Sequence, residues 1–66
     1  MTLWRTEFWA RMERHLGASY ADSFSRDYVI EALGSRTVRQ ALDDGYDTVV
    51  VWRAVCDVLD LPARER

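Results

Sequence analysis

The sequence predicts a compact all-α domain, a single bundle of four short helices in which the fourth helix is central. Three glycines, at positions 17, 34 and 45, divide the 66 residues into four segments and stand where helices commonly end. Apolar residues recur at helical spacing in each segment. The segment that begins at Thr48 is apolar on too many sides for a surface helix, so we expect it in the core.

The first segment carries an apolar residue at every fourth position from Trp4 to Leu16, which predicts a helix that ends at Leu16. Thr6 is a plausible N-cap, because a glutamate follows it in what would be the first helical turn. A start as early as Thr2 fits the pattern as well. The sequence therefore fixes the end of this helix better than its beginning.

The second segment predicts a longer helix. Tyr20, Phe24 and Tyr28 are spaced four apart and share one helical face, and further apolar residues extend that face. The pattern continues to about Leu33 and stops at Gly34. We therefore expect one helix over most of this segment.

The third segment is short, and Thr37 with Gln40 fits the capping-box pattern of a helix N-terminus. Asp43 and Asp44 follow at its C-terminal end, where the helix dipole disfavours acidic side chains by about 0.3–1 kcal/mol each. Nothing in the sequence explains why these two acidic residues stand there. Asp47 is placed to cap the helix that comes next.

The fourth segment follows a glycine turn, as the recognition helix of a helix-turn-helix protein would. A recognition helix needs polar side chains on its outer face, but between residues 48 and 59 only Thr48, Arg53 and Asp57 are polar. We therefore predict that this helix, with Trp52, forms the core. The helical domain spans residues 1–62, and we expect residues 63–66 to form a frayed tail.

Composition and charge argue against several classes of protein. The net charge is −2, and affinity for nucleic acid rests mainly on the neutralisation of phosphates, so we do not expect a nucleic-acid partner. One cysteine and one histidine cannot supply the roughly four ligands of a structural zinc site. The chain shows no targeting segment and no apolar run of the roughly 20 residues that a membrane span needs. We expect a cytoplasmic protein that does not bind membranes.

The sequence offers no convincing catalytic, cofactor or metal site. His15, Ser19 and Asp22 could be imagined as a catalytic set, but nothing supplies an oxyanion hole or a deep cleft. Cys56 lies in the apolar part of the fourth helix and reads as a small buried hydrophobe. The stretch "DDGYD" fails the register of a calcium loop. We therefore predict that the protein is not an enzyme and binds no cofactor.

Aromatic residues are the feature that exceeds the needs of a small core. The chain has eight of them, including three tryptophans, and tryptophan, tyrosine and arginine are enriched at protein interfaces. Alternatively, all of the aromatics lie in the core with only their polar tips in water. The predicted interaction surface, for an unknown protein partner or a second copy in a homodimer, consists of Trp4, Trp9, Tyr20, Tyr46, Arg36 and Arg39.

Three stretches, "TEFWARM", "YADSFSRDYVIEALGSRTVRQAL" and "VWRAVCDVLDLP", together resemble a family of very short actinobacterial proteins, domain of unknown function 3046. The resemblance covers nearly the whole chain. It brings no catalytic residues, because the family has none assigned. Genes of this family often lie near those of recombinase regulation, which implies a role around DNA recombination.

Together these observations predict a small protein-interaction module. The alternative is a DNA-binding helix-turn-helix protein. The two differ in their response to salt, because binding through phosphate contacts weakens steeply as salt rises.

Overall fold

The computed structural model describes residues 3–65, and these residues form an all-α bundle, which confirms the predicted fold class. Two short 3₁₀ turns, Glu31–Leu33 and Ala63–Glu65, complete the described chain. No segment within residues 3–65 forms a β-strand. An isolated antiparallel β-bridge joins Ile30 and Arg36. The four helices are α1 (Arg5–Leu16), α2 (Ala18–Asp27), α3 (Val38–Asp43) and α4 (Thr48–Leu59).

Helix α1 ends at Leu16, as predicted, and a single residue, Gly17, joins it to α2. The N–H of Gly17 donates to the carbonyl of Glu13, and the Gly17 carbonyl accepts from the N–H of Ala21. Its φ of 82° with ψ of 150° is a conformation that only glycine adopts readily. The α1 N-cap is Trp4 rather than the predicted Thr6, and Thr2 lies outside the described residues.

The predicted helix from the second segment to Leu33 is wrong, because α2 ends at Asp27. Residues 28–30 are extended, and the N–H of Ile30 donates to the carbonyl of Arg36 at 2.9 Å. Two β-branched residues in a row, Val29 and Ile30, favour extended backbone, and this hydrogen bond satisfies the amide that the helix would have used. A 3₁₀ turn then leads to Gly34, which is left-handed with φ of 71°.

Both caps predicted for the second half of the chain are present. Thr37 and Gln40 form the capping box at the start of α3, and Asp47 accepts a hydrogen bond from the N–H of Val49 at the start of α4. Helix α3 ends in a Schellman motif, in which Tyr46 N–H donates to the Ala41 carbonyl. These caps fix the bounds of α3 and the beginning of α4.

Helix α4 is the central element, as predicted. It carries more buried side chains than any other described helix, and it packs against α1, α3 and the first 3₁₀ turn, while α2 packs on α1 and α3. Trp52 is buried and meets the ring of Phe8 edge to face, with centroids 6.0 Å apart. The buried residues of α4 are Val51, Trp52, Ala54, Val55 and Cys56.

The C-terminal segment differs from the frayed tail that we predicted for residues 63–66. Its described part is a 3₁₀ turn, and the carbonyl of Glu65 accepts a hydrogen bond from Trp52 Nε1 at 2.9 Å. A buried indole N–H needs an acceptor, and this turn supplies it. Arg66 lies outside the described residues.

Candidate protein-interaction surface

Trp9 and Arg39, two residues of the predicted surface, lie together and link three helices. The Arg39 guanidinium carbon stands 5.2 Å from the centroid of the Trp9 ring, and its Nη2 lies 3.0 Å from Asp22 Oδ1. Asp22 Oδ2 also accepts from Arg26 Nη2 at 2.7 Å, an i,i+4 pair on α2. Trp9 is only partly exposed because it packs against the core. These side chains are thus engaged within the bundle.

Arg36 and Tyr46 form a second cluster, at the two ends of α3. Arg36 Nη1 donates to Tyr46 Oη at 3.0 Å, the guanidinium carbon lies 5.4 Å from the ring centroid, and Nε donates to Asp44 Oδ2 at 2.7 Å. The hydrogen bond to Asp44, and then the nearby Tyr46, hold the pKa of Arg36 above its ordinary value. This cluster gives Asp44 a partner in its own chain, whereas nothing in the structure explains Asp43.

Trp4 stands apart from both clusters, and its side chain is 70% exposed. Hydrogen bonds hold the backbone on either side of it. The carbonyl of Leu3 accepts from the hydroxyl of Thr48, and Arg5 Nη2 donates to the carbonyl of Leu42 at 3.2 Å. The exposed indole is therefore presented from an anchored position near the beginning of α4.

Tyr20, the last of the predicted aromatics, belongs to a row of three rings along α2, in which Tyr20 meets Phe24 edge to face and Phe24 stacks on Tyr28. The ring of Phe24 lies between those of Tyr20 and Tyr28, with centroids 6.1 Å and 4.9 Å away. Phe24 is buried, while Tyr20 is 55% exposed, Tyr28 is 46% exposed and the adjacent Val29 is 54% exposed. The sequence placed the three rings on one face but gave no indication of which face points to solvent.

This row borders two open depressions of ≈ 220 Å³ and ≈ 550 Å³, and Tyr28 lines both of them. The smaller depression lies on α2. The larger one lies between residues 28–32 and the second half of α4, where Ala54 and Val58 contribute. Because Tyr28 is common to both, we treat the two depressions as one surface, whose lining is mainly apolar in the smaller depression and mixed polar and apolar in the larger one. We call it the tyrosine groove, and it consists of Tyr20, Phe24, Tyr28, Val29, Ala54 and Val58.

The six predicted residues thus do not form one surface. Trp9 pairs with Arg39, and Tyr46 pairs with Arg36. Trp4 is exposed near the start of α4, and Tyr20 lies in the tyrosine groove. Sequence reasoning missed Tyr28, Val29 and Val58 as part of this groove. The available signal was the β-branched pair at positions 29 and 30, which marks where α2 stops.

A family model described as "Protein of unknown function (DUF3046)" matches residues 3–64. The chain belongs to this family. No curated protein and no solved structure matches it.

Cys56 and His15 of this DUF3046 chain both lie beside Glu65 of the C-terminal turn. Within residues 3–65 no three His, Cys, Asp or Glu side chains are close enough to hold a metal ion. Cys56 is buried, as predicted, and His15 Nε2 faces Glu65 Oε2 at 3.6 Å beside Trp52. No helix in the described part of the chain has both the length and the apolar character to cross a membrane.

Proposed function

We propose that this DUF3046 chain is a protein-interaction module whose binding surface is the tyrosine groove. The observation that carries the proposal is the exposure of Tyr20, Tyr28 and Val29 on one continuous face. Exposed apolar surface of this kind is unfavourable in water, and aromatic residues are enriched where proteins meet. The proposal includes no catalytic activity and places the protein in the cytoplasm.

Charge favours a protein over DNA as the partner. The net charge is −2, and several arginines already face carboxylates or a carbonyl of the same chain. On α4, which a helix-turn-helix protein would insert into the groove of DNA, the exposed residues include Val50 and Asp57 beside Arg53. The helix-turn-helix function stays the alternative. A link to DNA recombination rests on the gene context of the family, and it indicates where a protein partner is to be sought first.

Affinity capture tests this function with the tagged full-length chain in native lysate of its source organism, with and without nuclease. We expect a stoichiometric protein partner that survives nuclease and is lost with the double variant Tyr20→Ala/Tyr28→Ala. Trp4→Ala is the matched control, because it removes an exposed aromatic outside the groove.

Two results would contradict the proposal in different ways. Recovery that collapses with nuclease would favour the helix-turn-helix alternative. If Trp4→Ala abolishes recovery of the partner and the double tyrosine variant leaves it intact, the binding surface lies around Trp4 and not in the tyrosine groove. Circular dichroism of each variant must show unchanged helix content.

A further inference from the structure

Among the described residues, the charged side chains that line the tyrosine groove are acidic. Asp27 lines its smaller depression, and Glu31 and Asp57 line the larger one. No basic residue from the described range, residues 3–65, lines either depression. An apolar surface bordered in this way attracts a cationic segment and repels an acidic one.

Asp27 and Glu31 make no ion pair within residues 3–65, in contrast to Asp22 and Asp44. Asp27 is the last residue of α2, where the helix dipole disfavours a carboxylate. The fold therefore gains nothing visible from either acid. Next to them, the backbone N–H and C=O of Val29 make no hydrogen bond within the described residues.

The molecule itself shows how an arginine binds such a surface. Arg39 lies over the Trp9 ring and pairs with Asp22, and Arg36 lies against Tyr46 and pairs with Asp44. Each arrangement combines an aromatic face with a carboxylate that holds the guanidinium in place. In the tyrosine groove the aromatic rings and the carboxylates are present, and no arginine of the described residues lies among them.

We propose that the tyrosine groove binds an arginine-bearing basic segment of a partner protein. A guanidinium of the partner stacks on Tyr28 and pairs with Asp27 or Glu31, while an apolar side chain of the same segment contacts Val29 and Val58. Arginine fits better than lysine, because its planar group stacks on a ring and meets a carboxylate at the same time. This inference rests on the proposed function and adds the chemistry of the partner.

A titration followed by two-dimensional NMR of the isotope-labelled full chain tests the inference directly. The probe is a short synthetic peptide in which arginine alternates with leucine, and the two control peptides carry lysine or glutamate in place of arginine. We expect the arginine peptide to shift the amide signals of residues 27–31 and 54–58. The lysine peptide should bind more weakly, and the glutamate peptide should not bind. Equal shifts from the lysine and arginine peptides, or shifts outside these ranges, overturn the inference.

Charge variants sharpen the test. The double variant Asp27→Asn/Glu31→Gln should weaken arginine-peptide binding about fivefold, and added salt should reduce this difference. Glu13→Gln is the matched control, since it removes an exposed acid of α1 outside the groove. The variant Asp27→Arg should weaken the arginine peptide further and allow the glutamate peptide to bind. Unchanged affinity in both groove variants, Asp27→Asn/Glu31→Gln and Asp27→Arg, contradicts the inference.

The two proposals fail in distinguishable ways. If the captured partner is lost with Tyr20→Ala/Tyr28→Ala but retained in full with Asp27→Asn/Glu31→Gln, the interaction function stands and the basic partner is wrong. If sedimentation velocity shows a dimer that Tyr28→Ala dissociates, the occupant of the groove is a second copy of the chain, and the inference of an arginine-bearing partner is overturned.

Discussion

The core of the bundle and the surface along α2 use aromatic rings in opposite ways. At the centre, Trp52 is buried against Phe8, and its indole N–H donates to the Glu65 carbonyl. At α2, Tyr20 contacts Phe24 edge to face and Tyr28 stacks on it with a similar separation of rings, yet about half of each tyrosine faces solvent. The difference teaches that ring contacts alone do not define a core. What matters is whether a neighbouring element covers the second side of the ring.

The largest effect expected from this difference is that of Trp52→Ala. Removing a buried tryptophan costs about 3–5 kcal/mol, and the core of a domain this small rarely supplies more than about 3–5 kcal/mol in total. We expect the variant to be unfolded at room temperature by far-ultraviolet circular dichroism. A variant that melts near the wild-type temperature would show that α4 is not central to stability.

A pair of glycine variants tests how much the Arg36–Tyr46 cluster contributes to stability. Gly34 and Gly45 both have positive φ, so alanine at either position costs about 1–2 kcal/mol. At Gly34 the new Cβ would also collide with Arg36 Nη1 and displace the guanidinium from Tyr46. No atom lies within 4 Å of a Cβ at Gly45.

Urea unfolding should therefore give a free energy of unfolding that is lower for Gly34→Ala than for Gly45→Ala by about 0.5–1 kcal/mol. Equal values for the two variants would mean that the Arg36 cluster contributes nothing to stability.

Trp4 and Trp9 extend the comparison, because the sequence analysis assigned both to the same interaction surface. Trp9 packs partly against the core beneath Arg39, so Trp9→Ala should lower the free energy of unfolding by about 1–2 kcal/mol. Trp4 is largely exposed, so Trp4→Ala should change it by about 0.5 kcal/mol or less. Thermal melts of both variants check this order, and a reversed order would place Trp4 in the core instead.

The smallest effect on stability is expected in the tyrosine groove. Tyr20→Ala removes a ring that contacts Phe24 on one side only, and the change in the free energy of unfolding should be about 0.5 kcal/mol or less. The same variant should weaken partner binding about tenfold if Tyr20 is a central contact. Chemical denaturation and affinity capture on one protein preparation give both values. A large loss of stability with intact binding would make Tyr20 part of the core.

Helix ends were predictable where a capping residue marks them and not where only the backbone changes. The start of α3 followed from Thr37 and Gln40, and the end of α1 from Gly17. No glycine or proline marks the end of α2, and apolar residues continue at helical spacing to Leu33, so periodicity predicted a helix that is too long. The docked C-terminal turn was missed because the hydrogen bond that holds it comes from Trp52, far back in the sequence.

The candidate site was predictable only in part, for a similar physical reason. Periodicity placed Tyr20 and Tyr28 on one face of α2, but it does not say whether another element covers that face. The groove depends on residues 28–32 lying beside residues 54–58, which no local pattern encodes. The clusters around Arg36 and Arg39 likewise depend on partners from other segments, so these arginines seemed available for binding when only the sequence was considered.

Gly17 is the whole connection between α1 and α2, and this has a consequence for how fast the chain folds. Loop closure costs little entropy when a single residue separates two helices. Packed pairs include the chain neighbours α1–α2, α2–α3 and α3–α4, so much of the fold forms from contacts close in sequence. Such a topology folds within about microseconds to milliseconds. We expect α1 and α4, which lie furthest apart along the chain, to meet last.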